Sequence, residues 1–189
     1  PVKGLRYLID AVAMLHQDGR KQVHLLVIGG FTSLALPEPA AGAFRAELEA
    51  QVRARGLAGH VTISGYLPAP AVSEALHAAD VAVFPFTAGV TTKSGALLSA
   101  FAHQLPTLVT AANPPDPDLV DGETVISTPR ARDPGALASG LARLLDDPQL
   151  RTRIARGAAK LVASRGWSVV AAAHCELYAR VVQPEGTDA

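Results

Sequence analysis

Apolar and polar positions follow two different periods along this chain. From Leu5 to His16 apolar residues recur every three or four positions, which is a helical period, and Asp18-Gly19 ends it. Val23 to Gly30 is instead a nearly continuous apolar run closed by two glycines, typical of a buried parallel strand. The same reading predicts strands near 23–29, 61–65, 81–85, 107–110 and 124–127, and helices near 5–16, 43–55, 72–77, 94–104, 134–146, 148–164 and 167–182.

The alternation of strands and helices predicts the fold class. We expect an α/β domain over residues 1–182, with a Rossmann-like parallel sheet and helices on both faces, and a disordered tail at 183–189. In such sheets ligands bind beyond the carboxyl ends of the strands. Because the chain starts at Pro1 without a methionine, we expect it to be part of a longer protein, whose preceding strand the sheet lacks.

Composition narrows the classes of function. Lys plus Arg and Asp plus Glu both number 17, with no basic block, so nucleic acid is not an expected partner. No apolar run reaches the roughly 18 residues of a membrane span. The single cysteine, Cys175, excludes an internal disulfide and reads as a buried or half-buried helix thiol. The histidines lack metal-ligand spacing and Gly29-Gly30 is not a dinucleotide fingerprint, so we expect neither metal nor cofactor.

The segment 85–106 is the most informative part of the sequence. The apolar strand 81–85 feeds a loop of small and hydroxyl residues, which opens a helix at about Ser94. The first amides of a helix and its positive end attract anions. Lys93 adds a cation just before that helix. The arrangement predicts a site for a phosphate or diphosphate.

Individual residues of this loop have distinct expected roles. Gly95 and Ala96 would bind through their backbone N–H groups, because small residues allow close approach. Ser94 is a helix N-cap, a phosphate contact, or both. The hydroxyls of Thr91 and Thr92 are expected ligand contacts.

Polar residues outside the loop also have expected roles. Lys3 either reaches the same phosphates from the sheet edge or stays in solvent. The Ser99 hydroxyl contacts ribose or, more in keeping with its helical position, bonds its own helix. His103, at the far end of the helix, points away from the phosphates, so we do not assign it a catalytic role. Asp116-Pro-Asp118 has the spacing of a metal motif, but its prolines and its distance from the loop favour a rigid turn.

Motifs in order along nearly the whole chain resemble the C-terminal domain of the metal-independent GT-B glycosyltransferases of group 1, or family 4. The similar segments are Lys3-Gly4, Leu26 to Gly30, Val61 to Tyr66, Ala78 to Pro85, Ser99 to Val109, Leu119 to Thr124, Asp146 to Arg151, and Trp167. Each is weak alone, but their order and spacing are specific.

The resemblance implies that the chain is the donor-binding half of a GT-B fold, with Gly30, Gly65 and Tyr66 joining the loop in the donor site. It implies transfer of a sugar from a nucleotide-diphosphate sugar without a metal. The resemblance leans to retention, and the sequence leaves the stereochemical outcome, the sugar and the base open. The acceptor, which stays unknown, and any catalytic base would belong to an N-terminal domain. We expect a cytoplasmic protein, and membrane association of the full-length protein is compatible with this.

The sequence departs from the family at two positions. Two glutamates eight positions apart flank the family's loop, one at the donor sugar and one at the ribose; here those positions are Thr91 and Ser99. A subgroup with basic loop residues and a helix similar to Lys93–His103 lacks the same pair, so transfer activity stays the first hypothesis. A non-catalytic nucleotide-binding module and an unrelated α/β signalling domain are the alternatives.

Overall fold

The computed structural model describes residues 2–32 and 36–182, and within them helices and strands alternate as the sequence predicts. The strands are β1 (Leu25–Ile28), β2 (Val61–Gly65), β3 (Ala82–Phe84), β4 (Thr107–Thr110) and β5 (Ile126–Thr128). The helices are α1 (Leu5–Gln17), α2 (Ala40–Ala54), α3 (Ala69–Ala78), α4 (Gly95–Ala102), α5 (Pro134–Asp146), α6 (Pro148–Ala163) and α7 (Trp167–Val182). The predicted tail, 183–189, lies outside the described residues.

All pairings between these strands are parallel, which confirms the predicted strand direction. β1 pairs with β2, and β4 lies between β3 and β5. The strands fall into two parallel sheets, one of two strands and one of three. Because β1 and β3 do not hydrogen-bond with each other, each keeps an edge without a strand partner among the described residues.

The start of the chain lies beside the end of β3. The amide of Thr87 donates to the carbonyl oxygen of Val2 over 3.0 Å. Gly4 is packed so closely that a Cβ there would stand 1.9 Å from the Pro85 carbonyl oxygen. α1 therefore leaves from the carboxyl end of β3 and leads to β1. That the sheet lacks a strand which precedes this start stays a prediction.

The core is built from two apolar clusters. The larger lies among α1, α2, α5, the start of α6 and the sheets, where Ile9, Leu144 and Ile154 are fully buried. The smaller joins α4 and α6 beneath the loops that follow β3 and β4, and its centre is Phe101 and Leu97. The second cluster holds α4, and with it the predicted phosphate loop, against the body of the domain.

α7 differs from the other long helices because it has no buried residue. The expectation that Cys175 is buried or half-buried is wrong: the thiol is exposed, since α7 packs against little of the described chain. No helix among residues 2–32 and 36–182 has both the length and the apolar character needed to cross a membrane.

Candidate functional site

The amino end of α4 is the part of the predicted site that the structure defines best. Ser94 is the N-cap, as predicted, and its Oγ accepts from the Leu97 amide at 3.4 Å. Within the described chain the N–H groups of Gly95 and Ala96 have no hydrogen-bond partner, and both residues are exposed. Two outward amides at the positive end of a helix favour the binding of an anion.

Lys93 stands directly before this helix end. Its side chain is exposed and makes no ion pair within the described residues. Its own amide donates to Thr91 Oγ1 at 3.4 Å, and the Ser94 amide donates to the Thr91 carbonyl oxygen at 3.0 Å. The amides of Lys93 and Ser94 are thus bonded within the turn, and the Lys93 ammonium is left without an ion-pair partner among the described residues.

Thr92 turns away from this opening. It is 9% exposed, and both its amide and its hydroxyl donate to Asp116 Oδ2, over 2.7 and 2.9 Å. The Thr92 hydroxyl, which we predicted to contact the ligand, is therefore already bonded within the protein. Thr91 keeps an intermediate exposure, and its ligand contact stays a prediction.

The segment Asp116–Asp118 forms the rigid turn that was predicted, since Asp116 Oδ1 accepts from the Asp118 amide at 3.0 Å. The expectation that this turn is far from the phosphate loop is wrong. β3 and β4 are neighbours, so the loops that follow them meet: the Val90 amide donates to the Thr110 carbonyl oxygen at 3.0 Å. Proximity here comes from the sheet and not from the sequence interval.

Arg165, just beyond α6, completes the contacts beneath the loop. Its Nη1 donates to Thr92 Oγ1 at 3.2 Å, and its Nη2 forms an ion pair with Asp118 Oδ2. Its guanidinium thereby joins the end of α6 to the phosphate loop and to the 116–118 turn.

The environment of Asp116 favours its charged form. Burial raises the pKa of this carboxyl, but the donated bonds from Thr92 and Asp118 and the nearby charge of Arg165 outweigh burial. The net result is a pKa below the ordinary value of an aspartate. Asp116 therefore accepts hydrogen bonds as a carboxylate at neutral pH.

Lys3 lies at the end of β3, where its ammonium stands 3.8 Å from the centroid of the Phe86 ring. This cation–π contact gives the charge of an exposed lysine a partner within the protein. Whether Lys3 also reaches a phosphate stays a prediction.

The remaining predicted donor residues gather at the ends of the other two strands. The Gly29 amide donates to the Gly65 carbonyl oxygen at 3.0 Å, and Gly30 and Tyr66 follow these glycines as exposed residues. Among the described residues no hydrogen bond joins this pair of strand ends to the phosphate loop. Their part in donor binding stays a prediction.

Ser99 and His103 belong to the body of α4. Ser99 Oγ donates to the Gly95 carbonyl oxygen at 2.9 Å, which is the bond within its own helix that the sequence favoured. His103 Nδ1 lies 2.8 Å from the Ser99 carbonyl oxygen and Nε2 lies 2.8 Å from Ser73 Oγ, so both ring nitrogens have protein partners. His103 therefore holds α3 and α4 together at the end remote from the anion site.

The contacts that hold the loop in place, above all those of Arg165, were not predicted from the sequence. A signal for Asp116 existed, because neighbouring parallel strands bring their following loops together. No local motif marks Arg165, which lies 73 positions from Thr92. Among the described residues no group of three or more His, Cys, Asp or Glu side chains is placed to hold a metal ion.

Comparison with known proteins gives this geometry a family context. The family model described as glycosyl transferases group 1 matches residues 1–147. Alpha-D-kanosaminyltransferase of Streptomyces kanamyceticus is 31% identical over 166 residues, which are 86% of this chain and 38% of that protein. The chain therefore spans less than half the length of this curated relative.

Solved structures share the fold at low identity. HepE of Anabaena, in complex with UDP, has a TM-score of 0.77 and 21% identity over 95% of this chain and 46% of its own. The C-terminal domain of LpcC, a glycosyl transferase group 1 family protein of Francisella tularensis, has a TM-score of 0.71 and 23% identity over 86% of this chain and 79% of its own. These likenesses establish a Rossmann-like domain of the GT-B kind. Since the family model covers most of the residues that form it, this chain belongs to the group 1 glycosyl transferases.

Proposed function

We propose that this chain binds the nucleotide-sugar donor of a glycosyltransferase through the amino end of α4. The observation that carries the proposal is the pairing of two outward amides, at Gly95 and Ala96, with the exposed ammonium of Lys93. A diphosphate presents several oxygens to such donors, and the helix end favours its negative charge. The Ser94 cap keeps the helix start in place.

The same groups suit the chemistry of sugar transfer. When the bond between the sugar and the diphosphate breaks, negative charge grows on the departing nucleoside diphosphate. Fixed amides and a lysine stabilise that charge without rearranging. We propose that they do so here without a metal. The acceptor, which the chain does not identify, and the residues that activate it belong in this proposal to another part of a longer protein.

The relatives support the class of ligand in this proposal. HepE has been solved with UDP and with UDP-glucose, and the Streptomyces relative is named for transfer of kanosamine. We infer from them the class of donor and not its identity. Thermal-shift screening against UDP, GDP, ADP and their sugars identifies the base, because a ligand of the folded state raises the melting temperature.

A non-catalytic nucleotide-binding module is the second candidate. It is favoured by Thr91 and Ser99, which stand where the family has glutamates, and by the Ser99 hydroxyl, which is bonded within α4. Both candidates predict nucleotide binding, so binding does not separate them. Release of sugar from the donor by a longer protein that contains this chain supports the transferase and excludes the module.

Replacement of Lys93 by alanine tests the site. If its ammonium neutralises the diphosphate, Lys93→Ala lowers the affinity for a nucleoside diphosphate about ten- to a hundredfold, because a charged hydrogen bond contributes about 1.5–3 kcal/mol. The affinity for the nucleoside stays nearly unchanged. Titration calorimetry with UDP and uridine, and with the corresponding guanosine and adenosine compounds, measures both.

Lys21→Ala is the matched control, since Lys21 is an exposed lysine in the turn between α1 and β1. We expect it to leave both affinities unchanged. Equal losses of nucleoside and diphosphate binding in Lys93→Ala, or no loss, would place the phosphates elsewhere.

A further inference from the structure

We propose that Thr92, Asp116 and Arg165 form a clamp that positions the diphosphate-binding amides, and that the clamp sets phosphate affinity without touching the ligand. This inference rests on the function proposed above. The three residues come from the loop after β3, the loop after β4 and the end of α6, and Thr92 hydrogen-bonds with both of the others. They are positioning residues, because they act through the turn at 91–94.

The clamp decides which amides face outward. The Thr92 amide is bound to Asp116, and the next two amides donate back to Thr91. After these three, the N–H groups of Gly95 and Ala96 follow without a partner in the described chain. If the Thr92 bonds were lost, the turn would be less firmly held, and with it the start of α4 that carries these two amides.

The hydroxyl of Thr92 has a role of its own. It donates to Asp116 and accepts from Arg165, so one oxygen links a carboxylate to a guanidinium. Arg165 is in turn held by Asp118. A valine has the same shape but neither bond, whereas a serine retains both.

Electrostatics makes Asp116 an informative position. A carboxylate near an anion site repels a diphosphate, so removal of its charge by Asp116→Asn would by itself tighten binding. The clamp predicts the opposite result. Asp116 uses both oxygens as acceptors, three bonds in all, and an asparagine replaces one acceptor with a donor.

The experiment compares Thr92→Val, Thr92→Ser, Asp116→Asn and the wild type by calorimetry, with UDP, GDP and ADP and the matching nucleosides as probes. We expect Thr92→Val and Asp116→Asn to lose about three- to tenfold in affinity for the diphosphate, because ordering the freed turn on binding then costs about 1 kcal/mol, the net worth of one hydrogen bond. Nucleoside affinity stays within about twofold, and Thr92→Ser restores diphosphate binding.

Asp121→Ala is the matched control. The Asp121 carboxylate also accepts a hydrogen bond from a backbone amide, since the Ser127 N–H donates to its Oδ1 at 2.8 Å, but this bond lies outside the loop. We expect it to leave diphosphate affinity unchanged. Amide hydrogen exchange at 94–97 gives a reading without ligand: the clamp predicts faster exchange there in Thr92→Val than in Thr92→Ser.

The outcomes separate the two proposals. A wild type that binds none of the diphosphates overturns the proposed function and the clamp with it. A wild type that binds, together with wild-type affinity in Thr92→Val or tighter binding in Asp116→Asn, overturns the clamp alone. Equal losses for diphosphate and nucleoside would mean that Thr92 merely stabilises the fold, and would also overturn it.

Discussion

At the scale of single residues, two glycines near the site differ in whether the fold requires a glycine there. Gly89 has a φ of +76°, and a Cβ there would stand 2.2 Å from the Ala112 Cα, so the crossing of the two loops requires glycine. Gly95, at the start of α4, has an ordinary φ, and its Cβ would meet no atom within 4 Å. Nothing in the fold demands a glycine at 95, which is consistent with a position kept small for a ligand.

This contrast gives a prediction for a series of three variants. Gly89→Ala should destabilise the domain by about 2 kcal/mol or more, from a strained φ and a backbone clash. Gly56→Ala isolates the strain, because Gly56 has a φ of +69° and open space around its Cβ. Gly95→Val should leave the free energy of unfolding within about 0.5 kcal/mol yet weaken diphosphate binding. Urea denaturation and calorimetry measure the two quantities.

A stable Gly95→Val variant with unchanged diphosphate affinity would contradict the assignment of that amide to the site. Gly56→Ala serves as the binding control, since its position after α2 predicts no change in affinity.

At the scale of elements, one residue organises the junction of α5 and α6. Asp147 is at once the C-cap of α5 and the N-cap of α6, where its Oδ1 accepts from the amides of Gln149 and Leu150 at 2.9 Å. Arg151 Nη1 reaches back to the carbonyl oxygens of Leu144 and Leu145, over 2.7 and 2.8 Å. The direction of α6, and with it the place of Arg165 beneath the loop, depends on this junction.

Asp147→Ala should therefore cost about 1 kcal/mol of stability, within a range of about 0.5–2, because the first amides of α6 lose their cap. Asp147→Ser keeps an acceptor and should retain most of that stability. Urea denaturation of the two variants and the wild type measures these differences in the free energy of unfolding. Equal stability of all three would show that the cap is dispensable.

At the scale of the whole molecule, α7 presents a row of apolar side chains to solvent. Trp167 is 89% exposed, Tyr178 61% and Val181 73%. An exposed apolar patch of this kind is typical of an interaction surface. We expect α7 to pack on the remainder of a longer protein, because the chain covers only 38% and 46% of the two relatives described above.

The test compares this chain with a longer protein that contains it. Tyr178→Lys and Val181→Lys should change the stability of the 189-residue chain by less than about 0.5 kcal/mol, because the side chains are exposed here. In the longer protein the same changes should destabilise by about 2 kcal/mol or more, since a buried lysine without a partner is costly. Glu176→Lys is the control for added charge on α7. Equal small effects on stability in both proteins would show that α7 does not pack on the rest of the longer protein.

The sequence by itself determined the elements, because their signals are local. The apolar periods placed all seven helices and five strands of the described chain to within a few residues. Short-range chemistry fixed their ends: Ser94 caps α4 as predicted, Asp147 caps α6, and Gly56 follows α2. The anion-binding end of α4 was predictable for the same reason, since a strand, a small-residue loop and a helix start are contiguous in the chain.

Only the tertiary structure decided what depends on residues far apart in the sequence. Strand pairing brought Asp116 to Thr92, and the path of α6 brought Arg165 there, so a hydroxyl expected to face the ligand supports the loop instead. The exposure of Cys175 and the division of the strands into two sheets likewise depend on which surfaces have partners. Periodicity tells which face of an element is apolar. It does not tell which distant residue covers that face, because that is set by the packing of the whole chain.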